Sequence, residues 1–272
     1  MYTELLSKMT IEEKAQMVTG YRLGTKMFPE YGITDTIEVS DGPAGIRTIN
    51  RAAPKVKGGN VQIPCPASLA ATWDRKVAQR AANVLALNCL YVGVSMLLAP
   101  GVNIVRSPLN GRNFEYFSED PYLAGEFGAA YVNGLQEYGV GTSVKHFAAN
   151  QQENHRKVVN AEIAERALRE IYLYVFEIIV KKSKPTSIMN AYNKVNGHYC
   201  SENKKLQKDI LRGEWGFEGA VISDWGAVHD TGKSLRAGCD LIMPGRQETI
   251  VEEVKKAYQR IALSFHSADN DL

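Results

Sequence analysis

The stretch GAVISDWGAVHDT, residues 219–231, contains an apolar run that leads directly to a carboxylate. The run over 220–222 is typical of a strand buried on both faces, as the strands of parallel sheets are. Asp224 and Trp225 follow it, and a helix is predicted over 228–235. Two interpretations of Asp224 stay open. It either caps that helix, or it lies at the carboxyl end of a parallel strand, where α/β barrels place their catalytic side chains.

The same pattern recurs along the chain, because short apolar runs alternate with predicted helices. Most of these runs end in side chains that a catalyst could use: Asp41, Asn103, Lys145 with His146, Asn190 with Tyr192, and Asp224. An open doubly wound sheet binds its ligand at one switch point. Here polar residues follow most of the predicted strands, which is typical of a closed barrel. The sequence therefore predicts an α/β protein with a (β/α)8 TIM-like barrel, irregular or incomplete because eight strands are hard to count.

Local signals predict several element boundaries. Thr10 and Glu13 have the form of a capping box, Asp74 is a candidate N-cap of a long helix, and Pro121 is expected to open another. Asn196-Gly197 predicts a hairpin turn. Further elements are expected as an exposed excursion over 51–62, helices over 164–181, 203–212 and 248–261, and a strand over 240–243.

The length of 272 residues suits one barrel domain. We expect that domain to cover residues 1–262. The weakly patterned tail, residues 263–272, is expected to be disordered or to be a truncated linker.

Composition excludes several classes of partner. The chain is 44% hydrophobic and 23% charged with a net charge of +2, so neither nucleic acid nor an anionic membrane surface is expected to bind it. The stretch over 81–105 has no charge, but Asn, Gly and Pro interrupt it, which favours a helix and a buried strand over a membrane span.

Cysteine usage and the amino terminus bear on the compartment. The cysteines are widely spaced and form no CxxC pair, so neither a zinc knuckle nor a disulfide framework is indicated; they are Cys65, Cys89, Cys200 and Cys239. The first residues contain no apolar signal core. A reducing, cytoplasmic location is therefore expected.

Neither a cofactor nor a metal is predicted. The chain contains no Walker loop and no GxGxxG after a strand. His146, Glu153 and His155 could hold a metal in principle, but their spacing is not HExxH. A hydrogen-bonding cluster is the favoured interpretation.

The strand-end residues suit a neutral, polyhydroxylated ligand. The carboxylates of Asp41 and Asp224 can accept hydrogen bonds from sugar hydroxyls, and cationic side chains can donate to others. The indole of Trp225 can stack on a pyranose ring. A carboxylate can also attack an anomeric carbon, which is the first step of glycoside hydrolysis through a covalent intermediate.

Motifs distributed over most of the chain resemble those of the family-3 glycoside hydrolases of the β-glucosidase type. They are SDGPAGIR at 40–47, GRNFEYFSEDP at 111–121, KHFAANQQENHR at 145–156, MNAYNKVNG at 189–197 and SDWGAVHDT at 223–231. The motifs occur in the order expected for that family, so the resemblance is specific.

The resemblance implies a function and a set of site residues. It makes Asp224 the catalytic nucleophile of a retaining enzyme that hydrolyses terminal, non-reducing β-D-glucosyl residues without a metal. Trp225 is expected to wall the pocket towards the leaving group, and the basic residues are expected to keep Asp224 ionised. The implied sugar-binding residues are Asp41, Arg112, Lys145, His146, Arg156 and Tyr192.

The general acid/base is where the resemblance fails. In the family it is usually a glutamate on a following α/β sandwich domain, which is absent from this sequence. Single-domain members use a histidine dyad in a glycine-rich loop, but the loop here reads AANQQENHR, so the dyad is not transferred to His155. The partner of Asp224 stays unassigned among Glu115, Glu119, Glu153 and Asp230, of which the first two are expected to hold loops in place.

A truncated chain, or one half of a split enzyme that needs a second domain or chain, is therefore expected to have weak activity. Two other functions stay open. The chain could bind sugar without turnover, as a scaffold, or it could be a Schiff-base lyase that uses Lys145 at its strand end.

Overall fold

The centre of the molecule is a parallel sheet built from short, buried, apolar segments. The computed structural model describes residues 2–47 and 60–268. The strands are β1 Val39–Asp41, β2 Met96–Leu98, β3 Gly141–Phe147, β4 Asn160–Ala161, β5 Ser187–Asn190, β6 Lys194–Val195, β7 His198–Tyr199 and β8 Ala220–Ile222. Five of them form the main sheet in the order β1-β2-β3-β5-β8, and every pair is parallel.

Helices follow most strands of the main sheet. They are α1 Tyr2–Lys8, α2 Ile11–Met17, α3 Pro66–Ala70, α4 Arg75–Val92, α5 Pro121–Gln136, α6 Glu165–Ala167, α7 Tyr174–Ser183, α8 Thr231–Ala237 and α9 Gln247–Ala268. A π-helical segment, Leu168–Leu173, joins α6 to α7, and a second one covers Lys205–Glu214. Short 3₁₀ turns lie at Pro29–Tyr31, Asn113–Glu115 and Cys200–Glu202.

The predicted helix starts are confirmed. Thr10 and Glu13 form both hydrogen bonds of a capping box at the start of α2. The side chain of Asp74 accepts from the backbone of Lys76 at the start of α4, and Pro121 opens α5. These local interactions satisfy amide groups that a helix leaves unpaired at its amino end.

The two faces of the main sheet bury different apolar clusters. One face contributes Leu97, Val144, Ile188 and Val221 to the main core, which also contains α4, α5 and α7. Alternate residues face the other way. They form a smaller inner cluster, which contains Val39, Met96, Leu98, Met189, Ile222 and Met243.

Close packing of α5 on its neighbours requires glycine. A Cβ atom at Gly125 would lie 2.7 Å from Ile178 Cδ1, and one at Gly134 would lie 2.5 Å from the carbonyl oxygen of Gln79. Both distances are too short for real atoms, so larger residues there would push α5 away from α7 and α4.

Beyond β8, the main sheet continues through isolated β-bridges instead of regular strands. Ile222 pairs in parallel with Leu241, and Thr19 pairs in parallel with Ile242. The amide of Val39 in β1 donates to the carbonyl of Leu23 at 2.8 Å. The sheet therefore curls towards itself, although no ladder of paired residues closes it within the described part of the chain.

The predicted strand over 240–243 forms only these bridges. The carboxylate of Asp240 accepts from the amide of Val221 at 2.7 Å, where a neighbouring strand would present a carbonyl. Pro244 follows shortly after and has no amide proton to donate. The prediction of a regular strand at this position was wrong for these two reasons.

A second, three-stranded sheet lies beside the main one. It contains β4, β6 and β7, and β6 pairs with β7 as an antiparallel hairpin. Asn196 and Gly197 connect them with φ angles of 49° and 89°. Positive φ at both positions is the signature of a type I′ turn, so the predicted hairpin turn is confirmed.

Some predictions differ from the structure or lie outside it. The helix predicted over 164–181 contains the π-helical segment described above, and α9 extends to Ala268, beyond the predicted end at 261. The predicted excursion over 51–62 and the tail lie partly outside the described residues, so the domain boundary at 262 stays a prediction. Within the described residues, no helix combines the length and apolar character that crossing a bilayer requires.

Candidate active site

A cavity of about 790 Å³ opens beside the carboxyl ends of β1, β2 and β3. Its lining includes Asp41 at the end of β1, Arg112 in the loop after β2, Lys145 in β3, and Arg156 in the loop that follows β3. These are four of the side chains that the sequence predicts for the site, and the structure brings them together around one space.

A chain of charges runs along this cavity. Lys145 Nζ lies 3.4 Å from Asp41 Oδ1 and 3.3 Å from Glu115 Oε2. The other oxygen of Glu115 accepts from Arg112 Nε at 2.5 Å. Glu115 is buried and does hold the loop after β2, as expected, but it also fixes two cations of the site.

Arg112 connects the cavity to Asp224. Its Nη2 lies 2.7 Å from His146 Nε2, and its Nη1 lies 3.9 Å from Asp224 Oδ2. Asp224 and His146 do not line the cavity themselves. Both contact the guanidinium of Arg112, which does.

The contacts of His146 fix its tautomer. A guanidinium can only donate, so the Nε2 atom that faces Arg112 must be the acceptor. The proton of the neutral ring is then on Nδ1, which lies 3.2 Å from the hydroxyl oxygen of Tyr116. Asn103 holds the backbone of His146 in place through two hydrogen bonds, each 2.9 Å long.

His146 is uncharged in this environment. Burial, together with the nearby charges of Arg112 and Lys145, holds its pKa well below the ordinary value. The 3.6 Å contact between His146 Nε2 and Asp224 Oδ2 is therefore not an ion pair. Tautomer and charge together leave Asp224 without a donor from this ring.

Asp224 lies just after β8 and is only 7% exposed. Its Oδ1 accepts from the Trp225 amide at 2.7 Å, whereas Oδ2 is buried and has no hydrogen bond of good geometry. The Tyr192 hydroxyl is close enough to lower the pKa of Asp224, but its one proton is donated to the Trp225 carbonyl. Asp230, not Asp224, is the cap of α8, so the capping interpretation of Asp224 was wrong.

The pKa of Asp224 reflects a competition between burial and the charges around it. Burial raises its pKa, and the opposing effects of Arg112 and Lys145 do not compensate fully. An ion with little access to water needs more stabilisation than two cations at this distance provide.

Tyr192 and Trp225 lie on the other side of Asp224. The hydroxyl of Tyr192 donates to the backbone oxygen of Trp225 at 3.0 Å. The guanidinium of Arg156 lies 4.4 Å from the centre of the Tyr192 ring, and Arg156 also pairs with Glu153 at 2.7 Å. The Trp225 side chain packs against the inner cluster.

The candidate acid/base residues are all engaged or remote from the cavity. Glu115 is held by Arg112 and Lys145, and Glu153 accepts from Arg156 and from Asn150. Asp230 caps α8 and Glu119 does not line the cavity. Over residues 3–47 and 60–259, no three His, Cys, Asp or Glu side chains are grouped as a metal site would require.

No role was predicted from the sequence for Tyr116 or for the loop after β1. A buried hydroxyl such as that of Tyr116 carries no periodic signal, although its place inside the GRNFEYFSEDP motif could have drawn notice. The loop after β1 forms one wall of the cavity, and it turns tightly at Gly42, whose φ is 135°. A Cβ there would lie 1.7 Å from the Gly45 carbonyl oxygen, so the wall depends on glycine.

Comparison with other proteins gives close relatives. The thermostable β-glucosidase B of Acetivibrio thermocellus is 46% identical over 262 residues, which cover 93% of this chain and 34% of that protein. An exo-α-(1→6)-L-arabinopyranosidase of Bifidobacterium breve is 46% identical over 247 residues, which cover 87% of this chain and 32% of that protein. The chain thus spans about a third of the length of these relatives.

Solved structures of β-glucosidases are also similar to this chain. β-Glucosidase 3B of Thermotoga neapolitana, determined in complex with glucose, superimposes with a TM-score of 0.90 at 44% identity and covers 95% of this chain and 39% of that one. The predicted α/β TIM-like fold is confirmed by this similarity. A model of the glycosyl hydrolase family 3 N terminal domain matches residues 53–271. The chain therefore belongs to glycosyl hydrolase family 3.

Proposed function

We propose that this chain is the nucleophile-bearing part of a retaining β-glucosidase that acts on terminal, non-reducing β-D-glucosyl residues. Asp224 is the nucleophile. Asp41, Arg112, Lys145, His146, Arg156 and Tyr192 hold the glucosyl residue, and Trp225 faces the leaving group.

One observation carries the proposal. Within residues 3–47 and 60–259, whose side chains the structure describes, Asp224 Oδ2 is the carboxylate oxygen that is buried without a hydrogen-bond partner. A carboxylate that served only structure would have both oxygens satisfied, since an unpaired buried oxygen is costly. An oxygen kept free beside a cavity suits bond formation with a ligand.

In the reaction, Asp224 Oδ2 attacks the anomeric carbon while the bond from that carbon to the glycosidic oxygen breaks. The leaving oxygen takes a proton from a general acid. Water then attacks the anomeric carbon and gives a proton to the conjugate base of that acid, while the bond from this carbon to Asp224 Oδ2 breaks and restores the carboxylate. Because the substitution happens twice at the same carbon, the product retains its configuration.

The two cations near Asp224, Arg112 and Lys145, have different roles in the proposed reaction. Arg112 lies within 3.9 Å of Oδ2 and stabilises the ionised carboxylate before attack. Lys145 is held between two carboxylates and stays a hydrogen-bond donor for sugar hydroxyls, which does not suit a Schiff-base lysine.

Mechanism-based labelling tests the proposal. 2,4-Dinitrophenyl 2-deoxy-2-fluoro-β-D-glucopyranoside has a leaving group that departs without protonation, and its fluorine slows the second step. We expect the intact protein to gain one fluoroglucosyl unit, and the peptide that carries the label to contain Asp224.

Two variants control this experiment. Asp224→Asn should remain unlabelled, whereas Asp209→Asn, which removes an exposed carboxylate that pairs with Lys204, should label as the native chain does. A label on another residue, or one that persists in Asp224→Asn, would refute the assignment of the nucleophile.

A second candidate function is sugar binding without turnover. It is supported by the engagement of Glu115 and Glu153 in ion pairs, which leaves no acid/base candidate free among the described residues. In the proposed enzyme the proton comes instead from a second domain or chain. Calorimetry with glucose, carried out beside a turnover assay, distinguishes the two functions. A binding protein takes up glucose but hydrolyses no substrate.

The sugar itself needs its own test. A relative named as a β-glucosidase and another named as an arabinopyranosidase are equally similar to this chain, each at 46% identity. We expect 4-nitrophenyl β-D-glucopyranoside to be a better substrate than 4-nitrophenyl α-L-arabinopyranoside. The reverse order of kcat/KM would reassign the sugar and leave the nucleophile unchanged.

A further inference from the structure

A group of aromatic and basic side chains surrounds Tyr192, whose ring contacts the cavity-lining residue Arg156. We call it the rim cluster and define it as Lys157, Tyr192, Lys194, Tyr199 and His229. Its members come from the loop after β3, the segment between β5 and β6, the hairpin β6–β7 and the loop after β8. The site described above uses only Tyr192 from this group.

The rings of the rim cluster are arranged as a stack. Tyr199 and His229 lie with their ring centres 3.7 Å apart and their planes 15° from parallel. The ammonium of Lys194 lies 4.7 Å from the centre of the Tyr199 ring. His229 is exposed, so a further flat ring can continue the stack from its outer side.

The two lysines of the rim cluster carry charge that nothing nearby neutralises. Among the described residues, neither Lys157 nor Lys194 has a carboxylate oxygen within 4.0 Å, whereas the neighbouring Arg156 is paired with Glu153. Lys157 lies 6.0 Å from the centre of the Tyr192 ring. The ring of a tyrosine attracts a cation but leaves its charge in place.

The neighbouring groups do not cancel this charge either. Glu202 acts on His229, but one of its oxygens already accepts from the Asp230 amide at 2.8 Å. Burial holds the pKa of His229 below its ordinary value, and both lysines add to that effect. At neutral pH the lysines therefore supply the positive charge of the rim cluster.

Tyr192 connects the rim cluster to the proposed catalytic carboxylate. Its hydroxyl donates to the backbone of Trp225, the residue after Asp224. Arg156, which lines the cavity, stacks on the Tyr192 ring and is followed by Lys157. The rim cluster therefore begins where the sugar pocket ends.

We propose that the rim cluster is a subsite for the leaving group and that it favours aromatic leaving groups that carry a carboxylate. The aromatic ring would continue the stack at His229, and the carboxylate would accept from Lys157 and Lys194. The inference rests on the proposed function, since a leaving group can reach this position only if the sugar lies over Asp224.

Two thioglucosides test the inference by binding alone. Phenyl 1-thio-β-D-glucopyranoside and its 4-carboxy derivative differ by one charge, and glycosidases cleave such sulfur linkages poorly. Calorimetry at low ionic strength should show about fivefold tighter binding of the carboxylate. The preference should shrink in 0.5 M NaCl, because salt screens exposed charges.

The variants separate the rim cluster from the overall charge of the protein. Lys157→Gln/Lys194→Gln should bind both ligands equally. Lys76→Gln/Lys208→Gln removes two exposed lysines on other elements and should keep the native preference. A preference that survives in Lys157→Gln/Lys194→Gln, or equal binding by the native protein, would overturn the inference.

Glucose is titrated in the same buffer, so that the two proposals fail in different ways. If glucose and the phenyl thioglucoside bind but the carboxylate brings no gain, the rim cluster proposal fails and the proposed function stands. If neither ligand binds, the proposed function fails and the rim cluster proposal falls with it.

Discussion

One outer strand of the main sheet, β1, ends at an aspartate, and the other, β8, ends two residues before one. The two aspartates lie in opposite surroundings. At the end of β1, the Asp41 side chain is 52% exposed, lines the cavity and contacts Lys145 at 3.4 Å. Just after β8, Asp224 is 7% exposed, and one of its oxygens has no hydrogen-bond partner. The difference indicates that strand position supplies a carboxylate, whereas burial decides what that carboxylate can do.

A chain of polar contacts joins the two aspartates. It runs from Asp41 through Lys145 and Glu115 to Arg112, which lies 3.9 Å from Asp224. An exposed carboxylate with a partner suits hydrogen bonding to hydroxyls, and a buried one with a free oxygen suits attack on carbon. The contrast between the two ends can be tested by changing either aspartate or the link between them.

The largest effect is expected from Asp224→Asn. An amide cannot form the glycosyl ester, so kcat for 2,4-dinitrophenyl β-D-glucopyranoside should fall about 10⁴-fold. The leaving group of this substrate needs no proton, so the measurement does not depend on a general acid. Asp209→Asn is the matched control and should leave kcat within about twofold. A loss of less than tenfold would show that Asp224 is not the nucleophile.

The next largest effect is expected when the link is broken at Glu115. This carboxylate is 3% exposed and holds both Arg112 and Lys145. Glu115→Gln leaves two buried cations without their shared partner, so the free energy of unfolding should fall by about 3 kcal/mol. Urea denaturation followed by circular dichroism measures this change.

Glu214→Gln provides the comparison for the buried link. Glu214 pairs with Arg169 through an exposed bidentate contact, and its loss should cost less than about 1 kcal/mol. If the free energy of unfolding fell equally in both variants, the ion pairs of Glu115 would contribute no more than an exposed surface pair. The two aspartates would then not be coupled through Glu115.

Local sequence signals were sufficient for much of the frame. The capping box at Thr10, the N-cap at Asp74 and the turn at Asn196 each depend on residues a few positions away, and the structure contains all three. The aspartates at the ends of β1 and β8 were also predictable, because apolar runs stop shortly before or at them. Such signals need no knowledge of the tertiary contacts.

Features that depend on distant residues were not predictable in the same way. The pKa of Asp224 is raised because the whole fold buries it, and the sequence shows only the cations that oppose this effect. The tautomer of His146 depends on Arg112 and Tyr116, which come from a loop 30 or more positions earlier. The bridges at Leu241 replaced a strand because the Asp240 side chain takes a backbone position.

A smaller loss of activity is expected from Asp41→Asn. An amide replaces one acceptor with a donor and removes the charge, so kcat/KM should fall about 10²-fold and glucose binding about tenfold. Calorimetry and steady-state kinetics measure the two effects. Asp35→Asn, which alters an exposed carboxylate outside the cavity, should change neither. Unchanged glucose affinity with a loss of kcat would move Asp41 from sugar binding to chemistry and remove the contrast with Asp224.

The smallest effect is a gain of stability in Asp224→Asn. The pKa of Asp224 is raised above its ordinary value of 3.8 by burial, so the folded protein keeps a proton that the unfolded chain loses at lower pH. Ionisation of Asp224 therefore opposes folding, and this cost appears as the pH rises above 3.8 and is complete above the folded pKa. An asparagine never ionises, so the variant should be about 1 kcal/mol more stable at pH 7.

The gain should decrease on acidification, because a protonated aspartate and an asparagine are nearly equivalent. Urea denaturation at pH 7, 5.5 and 4 should give a difference that is smallest at pH 4. Asp41→Asn should instead lose a little stability at pH 7, less than about 1 kcal/mol, since it gives up a half-exposed ion pair with Lys145. Opposite signs for the two variants would establish that burial, rather than position at a strand end, separates the two carboxylates. A loss of stability in Asp224→Asn at pH 7 would mean that Arg112 and Lys145 outweigh burial after all, and that Asp224 is held as a structural ion.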